Sequence, residues 1–205
     1  MKVHKTSIVI MPKNEDELHH LRRGLEAILG ETQLEYEILA IAQGNIEPDF
    51  CFDYQQGDNY KLILIGQELN KFRALNVIRQ YASDESKYLL FVDSLDGLTP
   101  DVLRYRIELF AADPSVGVTG EFDASVAFDP TKFFYHLATE VNLTQEEYKN
   151  KCFGTEGEPL AVKDTIWATQ LSTWDKIGGM PLKSPSSFLE YQFRCLLLGY
   201  KIITR

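Results

Sequence analysis

Short apolar runs alternate with amphipathic stretches along this chain, the pattern of a mostly parallel sheet with helices on its faces. Ser7–Met11 reads as a first buried strand. Leu18, Leu21, Leu25 and Ile28 then recur at helical spacing, with Gly30 as the stop. Tyr36–Ala42 is a second strand, closed by the turn signal Gln43-Gly44-Asn45, and Tyr60–Ile65 is a third. Phe72, Leu75, Ile78 and Ala82 predict a helix after it. Tyr88–Asp93 is nearly continuous in apolar residues, as a central parallel strand covered on both faces should be. Thr99-Pro100-Asp101 supplies a cap, a proline at the first helical position and an early acid. The helix it starts runs towards Ala111, with Leu103, Ile107 and Phe110 on one face, and Val116–Thr119 is the next strand.

The second part of the chain is less regular. From Glu121 to Gly157 aromatics and acids mix without alternation, which reads as helix and loop lying over the sheet. Val162–Thr169 reads as a strand, and Ser172 as the cap of a short helix to Ile177 that Gly178-Gly179 breaks. Phe188–Leu198 is helical and Tyr200–Thr204 is a last strand. With no repeat, low-complexity tract or linker, residues 1–205 are expected to form one domain. The chain stops at Arg205 directly after an apolar strand, as a shortened chain or the front part of a longer protein would.

Composition narrows the function. The chain has 205 residues, 44% hydrophobic and 25% charged, as in an ordinary globular protein with a substantial core. Its net charge of −9 argues against broad nucleic-acid binding, which needs a basic face, yet a local pair such as Lys71 and Arg73 can still hold a diphosphate. Cys51, Cys152 and Cys195 are far apart and lack zinc spacing, so a reducing cytoplasm is the expected compartment. No segment approaches a signal-peptide core or a transmembrane length, which leaves only peripheral membrane contact. His4, His19, His20 and His136 show no ligand spacing.

In an open parallel sheet, ligands bind beyond the carboxyl ends of the strands. The loops there are Pro12 to Asp16, Gln43 to Asn45 and Asp93 to Gly97. Asp93 and Asp96 can bind Mg²⁺ or Mn²⁺, which prefer oxygen ligands and often bind through one or two acids plus phosphate. The plainer reading makes Asp96-Gly97 a tight turn beside a loop cap.

The order of motifs resembles the family 2 glycosyltransferases of the GT-A fold. Ser7-Ile8-Val9-Ile10 with Asn14-Glu15 is similar to the family's opening strand and loop. Asn70-Lys71-Phe72-Arg73-Ala74-Leu75-Asn76 resembles the segment before its metal loop, and Tyr88 to Pro100 its strand, acidic loop and helix start. Asp113 to Gly117, Trp174 to Met180 and Arg194 to Ile202 resemble three later elements in the family's order. The resemblance implies a three-layer α/β sandwich, with a nucleotide-binding half at 1–120 and an acceptor-side half at 121–205. It implies an inverting, metal-dependent transfer from a nucleotide-diphosphate sugar to a glycan or lipid-linked hydroxyl acceptor, as in surface polysaccharide or glycan synthesis. Asn14, Glu15 and Gln43 would then contact the nucleoside, Arg73 the phosphates and Asn70 the same ligand, with Asn76 also at the donor site or capping and supporting the metal loop. Glu190 would be a displaced general base and Asp93 and Asp96 the metal ligands, Asp93 thereby counting with Glu190 as catalytic.

Three positions depart from the pattern. Ala42 and Gln43 replace nucleoside-binding acids, Leu95 stands at the second metal-binding acid, and Ser187-Phe188 stand where the base pair of acids belongs. An apolar side chain neither ligates a cation nor accepts a proton. A second reading is therefore a degenerate binding or assembly module of the same fold. A third, a sugar nucleotidyltransferase, is weaker because Met11-Pro12-Lys13-Asn14 is not a glycine-rich phosphate cradle.

Overall fold

The computed structural model describes residues 5–43, 59–65, 69–122, 144, 146–147, 150, 162–182 and 187–204. The turn expected at Gly44-Asn45 and most of the helix-and-loop region expected between Glu121 and Gly157 lie outside these residues.

Among the described residues seven strands join in one sheet: β1 (Lys5–Ile10), β2 (Tyr36–Gln43), β3 (Tyr60–Ile65), β4 (Ser86–Val92), β5 (Val116–Phe122), β6 (Val162–Gln170) and β7 (Lys201–Thr204), in the order β3-β2-β1-β4-β6-β5-β7. The β3-β2-β1-β4 half is parallel, with Ile8 opposite both Ile38 and Leu90. β6 runs antiparallel to β4 and β5, and β7 returns parallel to β5. The sheet is thus mixed, with one reversed strand, β6, beside the central strand β4.

Both faces are covered. Alternate residues of β1 divide between two cores, as the period of two along a strand requires. Ile8 and Ile10 pack towards α1 (Glu15–Gly30) and α3 (Pro100–Ala112), through Leu18, Leu21, Leu25, Leu103 and Phe110. Val9 faces the other core, with α2 (Lys71–Leu75), α4 (Leu171–Ile177) and α5 (Ser187–Leu197). That second core holds an aromatic layer in which Trp167 stacks on Phe91 at 4.0 Å and meets Phe188 at 4.6 Å. No helix among the described residues is long and apolar enough to cross a membrane.

Helix starts follow their local signals where these exist. Thr99 Oγ1 accepts from the Val102 N–H, with Pro100 at the first turn of α3. The single helix expected from Phe72 to Ala82 instead ends at Leu75 and resumes as a 3₁₀ turn, Ile78–Gln80. The break falls at Asn76, whose amide bonds both backbone groups of Met180, at 3.0 and 2.7 Å. Ile78 and Ala82 keep their places in the core, so the periodicity was right about the face but not about the helix. The cap expected at Ser172 is also displaced: α4 begins directly off β6, with Gln170 at the cap position and its side chain bonded to the Pro114 and Val116 carbonyls.

At the amino ends of the parallel strands lies a buried charge. Glu37 Oε1 accepts from Ser7 Oγ (2.6 Å), the Ser83 N–H (2.7 Å) and Ser86 Oγ (3.1 Å), while Oε2 accepts from Lys61 Nζ at 2.9 Å. Burial pushes this carboxyl up, but the hydrogen bonds and the Lys61 charge outweigh it and hold it below its ordinary value.

Candidate functional site

The parallel run of β1, β2 and β4 brings their carboxyl ends to one edge of the sheet, where ligands bind in such folds. Because β6 is reversed beside β4, its amino-terminal residues reach the same edge. Asp93, the residue after β4, donates its N–H to the Thr165 carbonyl at 2.8 Å. Its carboxylate accepts from Lys71 Nζ in a short contact. The same ammonium lies 3.2 Å from Asp164 Oδ2 and 3.3 Å from the Asp164 carbonyl. One lysine is thus shared by two aspartates, with the Lys71, Asp93 and Asp164 side chains 29%, 34% and 48% exposed.

Burial raises the Asp93 carboxyl above its ordinary value; the nearby Asp164 charge adds to this, and Lys71 and Lys13 only partly offset it. A carboxylate in this position strongly favours a cation beside it. The chain supplies one.

The Mg²⁺ or Mn²⁺ expected on Asp93 and Asp96 does not find its ligand set among the described residues. Asp96 is exposed in a turn, its N–H donating to Ser94 Oγ at 3.1 Å, and Gly97 follows at φ 77°. It lines a hollow of about 480 Å³ on the α3 side, with Asp101, Tyr105, Arg106 and Glu121. Leu95 turns into the core against α1, where a Cβ on Gly24 would lie 2.2 Å from its Cδ1. No group of three or more His, Cys, Asp or Glu side chains that could hold a metal ion occurs among the described residues. A divalent ion on Asp93 would have to displace the Lys71 ammonium that already occupies the space between Asp93 and Asp164. The residues present fit an ammonium better than a divalent ion.

The predicted rim residues shape the loops around this cluster. Asn14 caps α1, its Oδ1 accepting from the Glu17 N–H at 2.9 Å, and Glu15 is half-buried in the first turn. Gln43 Oε1 accepts from the Leu69 N–H at 2.6 Å, tying the end of β2 to the approach of α2. Asn70 caps α2 through the Phe72 N–H at 2.9 Å, which sets Lys71 at the first helical position. Arg73 is exposed on α2. Asn76 is turned to Met180, so both ends of its amide serve the Gly178-Gly179 turn.

A family model for Glycosyl transferase family 2 matches residues 7–161, more than half of the chain. The chain belongs to this family. No curated protein sequence matches it. Among solved structures, a mannosyltransferase from Pyrobaculum calidifontis in complex with GDP-Man and Mn²⁺ superposes with a TM-score of 0.67 at 15% identity, covering 100% of this chain and 55% of that one. S. aureus TarS 1-349 in complex with UDP gives 0.62 at 15% identity, with coverages of 98% and 57%. Glucosyl-3-phosphoglycerate synthase from Mycobacterium tuberculosis, in complex with Mn²⁺, UDP and glucosyl-3-phosphoglycerate, gives 0.58 at 12% identity, with coverages of 98% and 70%. The chain spans little more than half the length of the first two. At these identities the likeness is one of fold, and it establishes the GT-A α/β architecture.

In this glycosyltransferase family member the three apolar departures are all absorbed by core packing. Ala42 is 1% exposed, Leu95 lies against α1, and Phe188 packs at a tilt against Trp167. Glu190 is buried in α5, and its Oε1 accepts from Arg194 Nη2 at 2.8 Å and Nε at 3.0 Å. The structure therefore places the expected base in an ion pair with 1% of its side chain exposed.

Two site residues escaped the sequence reading. Asp164 sits in a strand whose reversed direction no local pattern reveals. Gln192 is buried in α5 and grips both backbone groups of Val162, at 2.8 and 3.2 Å, which anchors the start of the strand that carries Asp164. Neither shows a signal in its neighbours along the chain.

Proposed function

We propose that the chain transfers a sugar from a nucleotide-diphosphate sugar to a hydroxyl of a glycan or lipid-linked acceptor, with inversion at the anomeric carbon. The observation that carries this reading is the Asp93–Lys71–Asp164 cluster at the carboxyl end of the central strand of a family 2 fold. The acceptor oxygen bonds to the anomeric carbon, its proton passes to a base, and the bond to the diphosphate breaks with the electron pair leaving on phosphate. Cationic side chains at the rim, Lys71 and Arg73, meet that charge. Asn14, Glu15, Gln43 and Asn70 frame the nucleoside: the capping bonds of the amides use their oxygens and leave the NH₂ groups for a ligand. Residues 1–120 form the donor half and 121–205 the acceptor half of a cytoplasmic enzyme acting on surface or other glycans.

Titration calorimetry with uridine and guanosine diphosphates tests the donor site. One of the two is expected to bind, and Asp93→Ala is expected to weaken it at least about tenfold by releasing Lys71. Failure of both to bind would leave the donor reading without support.

The base is a separate matter. Glu190 is 1% exposed and its Oε1 is held by Arg194, so no acceptor hydroxyl reaches it as the chain is folded. Because the pair is buried, Glu190→Gln is expected to lower stability by about 2–3 kcal/mol while changing kcat less than about tenfold. A kcat loss of roughly 10²–10⁴ at an unchanged thermal midpoint would instead assign Glu190 the catalytic role.

A non-catalytic binding module is the second reading. It is favoured by the inward packing of Leu95 and Phe188. Nucleotide binding without hydrolysis or transfer of any donor sugar would select it.

A further inference from the structure

We infer that Lys71 takes the place of the divalent ion: its ammonium, held between Asp93 and Asp164, is the cation that meets the donor diphosphate, so that binding needs neither Mg²⁺ nor Mn²⁺. This rests on the nucleotide-diphosphate-sugar reading above and goes further in naming the cation.

The geometry around Lys71 is that of a built site. Its backbone is fixed on both sides, by the Gln43 bond to the Leu69 N–H and by the Asn70 cap on the Phe72 N–H. Ala74 and Leu75 lock the following turn into the core. The ammonium has three protons and three acceptors around it, one aspartate in close contact and two Asp164 oxygens at 3.2 and 3.3 Å. Those two longer contacts are the ones a phosphate oxygen replaces, since Asp164 is half-exposed and Lys71 keeps 29% of its side chain open to the edge of the sheet. Asp93 stays behind as the carboxylate that aims the ammonium.

The alternative occupant has lost its seat. Leu95, at the position of the family's second acid, is packed on α1, and Asp96 lies in the α3 hollow. A divalent ion would meet two carboxylates that already share a cation. During transfer the C–O bond to the diphosphate breaks and negative charge grows on the departing phosphate oxygen. A fixed ammonium stabilises that charge by N–H donation. Lys71 is therefore a ligand-binding residue, and Asp93 and Asp164 are positioning residues.

The test is calorimetry with uridine diphosphate and guanosine diphosphate on the wild type, Lys71→Met and Lys71→Gln, each with excess EDTA and with Mn²⁺. Circular dichroism confirms folding, and the electron paramagnetic resonance signal of free Mn²⁺ reports metal uptake directly. The wild type is expected to bind one nucleotide equally well in both buffers, to leave the Mn²⁺ signal at its protein-free level, and to lose about 10- to 100-fold in affinity in either variant. Binding that appears only with Mn²⁺, accompanied by protein-dependent loss of the free Mn²⁺ signal, overturns the inference and leaves the donor reading intact. Unchanged affinity in both variants also overturns it. If neither nucleotide binds the wild type in either buffer, the inference and the donor reading fall together. The wild-type metal arm decides the question even if both variants unfold.

Discussion

Trp167→Ala is expected to cost about 3–5 kcal/mol, a large part of the roughly 5–15 kcal/mol that holds a domain folded. Trp167 is 1% exposed at the middle of the sheet. Its indole lies on Phe91 with the rings 13° from parallel, and Phe188, Tyr191 and Trp174 surround it at 4.6, 5.8 and 6.5 Å. Removing it empties a layer whose walls are rigid rings. The paired residue on β5 is Gly120, which has no side chain to move into the gap. Urea denaturation at neutral pH measures the loss, and Trp167→Phe is expected to recover more than half of it. A cost for the alanine variant below about 1 kcal/mol would show that the layer closes over the cavity. The consequence reaches function, because β6 also carries Asp164 to the cation cluster.

Glu37→Gln is expected to destabilise the chain by about 2–4 kcal/mol at neutral pH, because a buried carboxylate that accepts four hydrogen bonds is exchanged for a neutral amide. One end of that amide is a donor facing donors. The same group sets a pH dependence. Its folded value lies below the ordinary 4.5, so the folded state binds the proton less readily than the unfolded chain does. The stabilisation is complete above the unfolded value and is lost as pH falls through the depressed folded value. Asp113, held at about 2 by Lys201 and Ser115, acts in the same direction from an exposed position. Denaturation midpoints measured from pH 7 downwards should fall below about pH 4.5 in the wild type and more shallowly in Glu37→Gln. Parallel curves for the two proteins would remove Glu37 as the source.

Much of the fold was legible residue by residue. Tyr60–Ile65 is a strand with the expected ends, and the central strand came within two residues of its observed start. Thr99-Pro100 starts its helix as the cap chemistry requires. The candidate site was legible only in part. Asp93 stands out because it ends the most apolar run in the chain, and the loops bearing Asn14, Gln43 and Asn70 because they follow or approach strand ends. Their capping bonds were not legible as such, since an asparagine before a helix looks alike whether it serves the backbone or a ligand.

What the sequence determined by itself was most of the described strands and helices, the faces they bury and, through the order of its motifs, the family. These depend on periodicity and on neighbours within a few positions, where apolar spacing and cap chemistry act directly. The tertiary structure alone decided that β6 runs against β4, that Leu95 and Phe188 point inward, and that Lys71 is shared by Asp93 and Asp164. Asp93 lies 22 positions from Lys71 and Asp164 lies 93. Contacts across such separations form only when whole faces of the sheet are buried together, and no local pattern records which distant charges that burial brings into reach.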